Sequence, residues 1–228
     1  MLFIIYYKKD KIMKKTILLI TTIISIFLIS GCASKQTERA PRERDETYVA
    51  DLDPFNLETF HLYSINKNGK PKITDFTISF APRSNYLFVS SKTGINVVRT
   101  GFSYQERKAL KEAHDLYISQ LNSGTIDRTK PSKKNAYNRG IASVEWGLGG
   151  IGYETNTFYM TNAYFLEENK PYFRILMEAA EEKPGNQLYS PKYSIFISPA
   201  QWEKIEELCR QENLEARVDE ILAEANEF

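Results

Sequence analysis

Thiols and imidazoles, the side chains most readily turned to chemistry near neutral pH, are few in this sequence. Its thiols are Cys32 and Cys209, and its imidazoles are His61 and His114. A cysteine nucleophile needs a base beside it and a lowered pKa. Cys209 is far in sequence from both histidines. It falls three and four residues after Glu206 and Ile205, so it reads as a buried structural thiol on a helix. A metal site needs clustered His, Cys or carboxylate ligands at fixed spacing. His61 and His114 belong to no H-E-x-x-H motif and no Cys/His cluster, and both are expected at strand or helix edges. No G-x-S-x-G occurs. Gly147, Gly149 and Gly152 spell G-x-G-x-x-G, but dinucleotide binding requires a helix opening directly after it. A strand-forming run, Tyr153 to Tyr159, follows instead, so the glycines read as a turn or a bulged strand end. No catalytic residue, cofactor site or metal ligand is assigned.

Cys32 stands in a more specific context. Lys14-Lys15 precede an apolar run, Thr16 to Ser30, and small Ser30 and Gly31 lead into the cysteine. A secretory signal has such a basic start, an apolar core of about 7–15 residues and a small-residue cleavage site. The run is short for a transmembrane helix, which needs about 20 apolar residues. Residues 13–32 resemble the lipobox signal of bacterial lipoproteins. The resemblance implies that Cys32 receives a diacylglycerol on sulfur, becomes the mature amino terminus and is acylated again. Two or three acyl chains, at about 0.8 kcal/mol per buried CH₂, hold a protein firmly on a bilayer. The competing reading is a plain signal peptide, or an uncleaved anchor, with an incidental cysteine. Met13-Lys14-Lys15 is a more natural start than Met1, whose following residues fit a signal poorly. Residues 1–31 are thus read as signal peptide. Ala33 after the cysteine, where an aspartate would favour the inner membrane, favours the outer membrane if the cell has one.

Beyond Cys32 the chain keeps 25 of its 30 basic and 28 of its 29 acidic side chains, a balance of −3. A nucleic-acid binder usually carries a strongly basic face, so no nucleic-acid partner is expected. With Cys32 acylated, Cys209 has no disulfide partner, and an exported domain must rely on packing. Residues 32–53 read as a lipidated terminus and charged tether, too poor in apolar residues to fold. Residues 54–228 remain for a globular domain.

That domain divides into elements by period. Phe60 to Ile65, then Phe76, Ile78 and Phe80 alternating with Thr77 and Ser79, read as two strands joined through Asn68-Gly69. Tyr86–Val89 and Ile95–Thr100 continue the series. Ser103 and Glu106 form a capping box for a helix carrying Leu110, Ala113, Tyr117 and Leu121, ended by Gly124. Thr125–Arg139 reads as a basic linker. A second series follows, with strands near residues 141–146, 157–166, 172–179 and 193–197. Ser198-Pro199-Ala200-Gln201 then caps a helix. Leu214, Val218, Ile221 and Leu222 mark a last one. The order, four strands and a helix twice over, resembles that of PUR-repeat and Whirly-type modules in element order alone. The expectation is an α+β fold of antiparallel sheets packed against helices, with halves at 54–124 and 140–228.

The function expected is that of a membrane-anchored cell-envelope lipoprotein. It would contact the bilayer through acylated Cys32 and act as a non-enzymatic binding module for an envelope protein or cell-wall component. The alternatives are an envelope hydrolase using carboxylates or Cys209, and a purely structural envelope protein.

Overall fold

A computed structural model describes residues 46–65, 69–93, 96–148, 151–166 and 169–225. Cys32 and the signal segment lie outside the described residues, as do Asn68 of the first hairpin and Gly149 of the glycine motif. The described residues form eight strands: β1 (Phe55–Ile65), β2 (Pro71–Ala81), β3 (Tyr86–Thr93), β4 (Asn96–Phe102), β5 (Asn138–Leu148), β6 (Ile151–Phe165), β7 (Pro171–Met177) and β8 (Tyr193–Ile197). Helix α1 (Tyr104–Asn122) links β4 to β5, while α2 (Pro199–Cys209) and α3 (Gln211–Ala225) follow β8.

Every strand pairs with its chain neighbours, and β1 returns to β8, so the sheet closes into an antiparallel barrel in the order β1 to β8. This overturns the α+β expectation of sheets layered against helices. No edge separates the two halves: β4 runs beside β5 from Asn96↔Leu148 to Gly101↔Ser143. The closing seam is short, pairing Tyr63 with Phe196 and Ser64 with Ile195. Closure matters because an open edge presents unpaired N–H and C=O groups to any other strand.

Alternation along the strands sorts the two faces. Phe60 and Leu62 of β1, Phe76, Ile78 and Phe80 of β2, Phe173 and Ile175 of β7, and Ile195 and Ile197 of β8 join one buried cluster. Leu110, Ala113 and Tyr117 of α1, Trp202 of α2, and Leu214 and Val218 of α3 belong to the same cluster. The helices therefore pack on the side to which the barrel turns its apolar residues. Between those positions many side chains are polar, though Phe196 of β8 is fully buried and Ile73, Ile141 and Phe158 are exposed. Thr59 meets Thr77 at 2.9 Å, and His61 Nδ1 lies 2.6 Å from Asp75 Oδ1. No helix among the described residues is long and apolar enough to cross a membrane.

Local chemistry seats each helix. At α1, Ser103 Oγ accepts from Glu106 N–H at 3.2 Å. The reciprocal arm of the expected capping box is replaced, because the Glu106 carboxylate accepts from the Tyr159 hydroxyl on β6. Gly140 on β5 makes room for this meeting. A Cβ there would lie 2.4 Å from Glu106 Oε2 and 2.7 Å from the Tyr159 ring. Beyond α1, Gly124 adopts φ +68°, the left-handed stop that a glycine supplies without strain. At α2 the capping box is complete, with Gln201 N–H on Ser198 Oγ, Ser198 N–H on Gln201 Oε1 and Pro199 in the first turn.

Two segments read as connectors lie against the barrel. Val49, Ala50 and Leu52, within the stretch read as tether, pack on the core, and Arg83 binds both Asp51 and Asp53. In the basic linker, Ser132 O and Asn135 O accept from Asn162 Nδ2 of β6 at 3.1 and 3.0 Å. Asp45–Phe228 forms one compact unit. With its barrel closed and its core internal, that unit meets the requirements for folding alone.

Candidate functional site

An eight-stranded barrel is just wide enough inside for side chains to fill it or for one small ligand. Here the filling is incomplete. A cavity of about 390 Å³ lies between the barrel wall and the helices. Its two sides differ in chemistry. The barrel contributes only apolar residues, among them Leu62, Ile78, Leu87, Val89, Ile175 and Ile195. Every charged residue of the lining comes from the helices: Arg107, Lys108 and Lys111 of α1, Glu206 of α2, Arg210 between α2 and α3, and Glu212 of α3. Trp202 and Ile205 complete the helical wall.

Most of these charges are already neutralised. Lys111 Nζ lies 2.7 Å from Asp115 and 3.6 Å from Glu206. Lys108 lies 3.7 Å from Glu46. Arg210 is 2.8 Å from Glu207 and 3.7 Å from Glu212. Arg107 differs. One terminal nitrogen donates to Asn85 O at 3.2 Å, Asn85 Oδ1 at 2.7 Å and Gln211 Oε1 at 3.1 Å, all neutral acceptors. Its Nε is shut off from solvent and has no hydrogen-bond partner among the described residues. Burial lowers the guanidinium pKa to about 10, which still leaves a cation at neutral pH.

Cys209 also lines the cavity. Part of the residue reaches solvent, but desolvation of the thiol raises its pKa to about 12, and nearby Arg107 only partly offsets this. A protonated thiol is a poor nucleophile. Neither histidine stands in the cavity lining. His61 is exposed within β1, paired opposite Asp75. His114, expected at an edge, is buried in the aromatic core instead. It stacks on Trp202 at 4.4 Å and meets Phe173 edge-on at 5.2 Å. Burial lowers its pKa to about 4, so the ring is neutral at ordinary pH. Ligand atoms of His114, Asp115 and Glu206 lie within 4.8 Å of one another. The Lys111 ammonium already serves both carboxylates, and Glu206 also accepts from Trp202 Nε1 at 3.1 Å. These contacts supply the counter-charge that a metal ion would bring.

The glycine motif lies at the tip of the β5–β6 hairpin, where Gly147 pairs with Gly152 and Leu148 with Ile151. No helix opens after it, as a pyrophosphate would require. Sequence reading missed Arg107. It sits between charged Glu106 and Lys108, three residues before Leu110 on the packed face of α1, and that spacing does not show whether it is paired.

Fold and site together define a class: an up-and-down β-barrel, packed with helices, around an internal apolar cavity with one charged wall. The chain belongs to a family described as uncharacterised Treponema protein, whose model matches residues 45–216. The match covers nearly the whole compact unit. A protein of Treponema pallidum (strain Nichols), itself described as uncharacterized, is 25% identical over 177 residues. That alignment takes in 77% of this chain and 64% of the relative, so the chain spans less than two thirds of the relative's length. No solved structure matches.

Proposed function

We propose that this protein is a membrane-anchored envelope lipoprotein whose barrel is a non-enzymatic binding module for a small apolar ligand. The observation that carries the binding half is the cavity of about 390 Å³ with its wholly apolar barrel wall. Small-molecule sites typically enclose about 300–1,000 Å³ and are mostly apolar with a few placed polar groups. The thiol of Cys209, held protonated beside this space, supports binding over hydrolysis. The anchor half rests on the lipobox resemblance of residues 13–32. An intact mass of the membrane-extracted protein that shows no acyl groups on Cys32 contradicts it.

The binding half is tested by titrating the Asp45–Phe228 protein with an uncharged apolar dye such as N-phenyl-1-naphthylamine. Saturable fluorescence enhancement is expected in the native protein and not in Ile195→Trp, whose indole fills the cavity. Equal enhancement in both proteins overturns the assignment of the ligand to this cavity.

A further inference from the structure

We infer that the ligand is a single-chain amphiphile with one anionic head, its chain in the barrel cavity and its head on Arg107. The inference rests on the cavity being a binding site and adds the chemistry of what it takes. Buried charges are, as a rule, paired or hydrogen-bonded to compensate for lost hydration. Of the four cations lining the cavity, Lys108, Lys111 and Arg210 have carboxylate partners. Arg107 has none among the described residues. Its three acceptor contacts fall on one terminal nitrogen and are all neutral. Cys209 does not supply the missing charge, because its thiol stays protonated at neutral pH.

The surroundings hold the guanidinium in place without neutralising it. Asn85 is fully buried at φ +51° and donates through Nδ2 to Glu46 O at 3.0 Å. Gln211 is buried too, and its Nε2 donates to Glu215 at 2.8 Å. Both amides are thereby fixed with their oxygens toward Arg107. A guanidinium that lines the cavity and has no carboxylate partner is suited to take a carboxylate or phosphate by a charge-assisted hydrogen bond. The opposite wall offers only hydrocarbon. A ligand that satisfies both walls must carry an anion at one end and an apolar body at the other. Free fatty acids and lysophosphatidates share that chemistry.

The experiment displaces the bound dye from the Asp45–Phe228 protein, below the micellar concentration of each competitor. Palmitate, lysophosphatidate and methyl palmitate are compared. This form lacks Cys32, so no chain of the protein's own anchor competes. The two anions are expected to displace the dye at least about tenfold more tightly than the ester, since charge-assisted hydrogen bonds are lost with the head. The tighter of the two anions identifies the head as carboxylate or phosphate. Arg107→Gln is expected to erase the preference of the anions over the ester, and Arg107→Lys to restore part of it. Equal displacement by palmitate and its ester overturns the inference and leaves the cavity reading intact. No displacement by any of the three overturns both. The comparison within the unmodified protein decides the matter even if Arg107→Gln fails to fold.

Discussion

At the scale of single residues, the buried polar groups carry most of the information, and His114 gives a measurable signature. Its ring is stacked on Trp202, and burial holds its pKa at about 4. An unfolded chain returns it to about 6.5. Between those values the unfolded state takes up a proton that the folded state refuses. Stability is therefore full above about pH 6.5 and falls as pH drops toward 4. The loss from this group is on the order of 2–3 kcal/mol. Urea midpoints at pH 7 and pH 5 are expected to differ in the native protein, and to differ less in His114→Phe, which keeps an aromatic ring beside Trp202. An equal pH dependence in the two proteins assigns the effect elsewhere. Burial of His114 is partly written in the sequence, since it lies four residues after Leu110 and three before Tyr117, on one helix face. The neighbours Lys111, Glu112 and Asp115 are charged, and only Leu110, Ala113 and Tyr117 show which side packs. Arg107 lies on the same face, three residues before Leu110, but its partners are not legible there. What distinguishes it is that no carboxylate pairs with it among the described residues, its acceptors being Asn85 and Gln211, which are distant in the chain.

At the scale of elements, the positions of the strands and helices were largely legible. Alternation places Phe76, Ile78 and Phe80 on one face of β2, and Ser198 with Gln201 opens α2. Helix seating was less so. The Glu106 carboxylate, expected to close a capping box on Ser103, binds Tyr159 instead because β6 brings that hydroxyl within reach. Gly140 then has a packing reason unconnected to any turn. Gly140→Ala is expected to push Glu106 and Tyr159 apart and destabilise the protein by about 1–3 kcal/mol, the usual cost of overpacking. Gly152→Ala is the control, since nothing stands within 4 Å of its added Cβ. Thermal unfolding of both variants checks this, and equal midpoints would show that the contact at Gly140 does not hold α1 in place.

At the scale of the whole molecule, closure was the part the sequence did not show. A strand alternates identically in an open layered sheet and in a barrel. The difference rests on β1 meeting β8 through Tyr63, Ser64, Ile195 and Phe196, more than a hundred residues apart in the chain. Helix amphipathicity was equally silent, because an apolar helix face packs as well on a flat sheet as against the lining of a barrel. Closure changes function as well as shape: it encloses the apolar faces around a space that the side chains do not fill. That space is the centre of the functional account. Its most direct test is the methyl NMR spectrum of the Asp45–Phe228 protein as palmitate is added. The account predicts saturable shifts at Leu62, Ile78, Leu87, Ile175 and Ile195, with the exposed Ile73 and Ile141 unmoved. Shifts at Ile73 or Ile141 with the cavity methyls unchanged would contradict it.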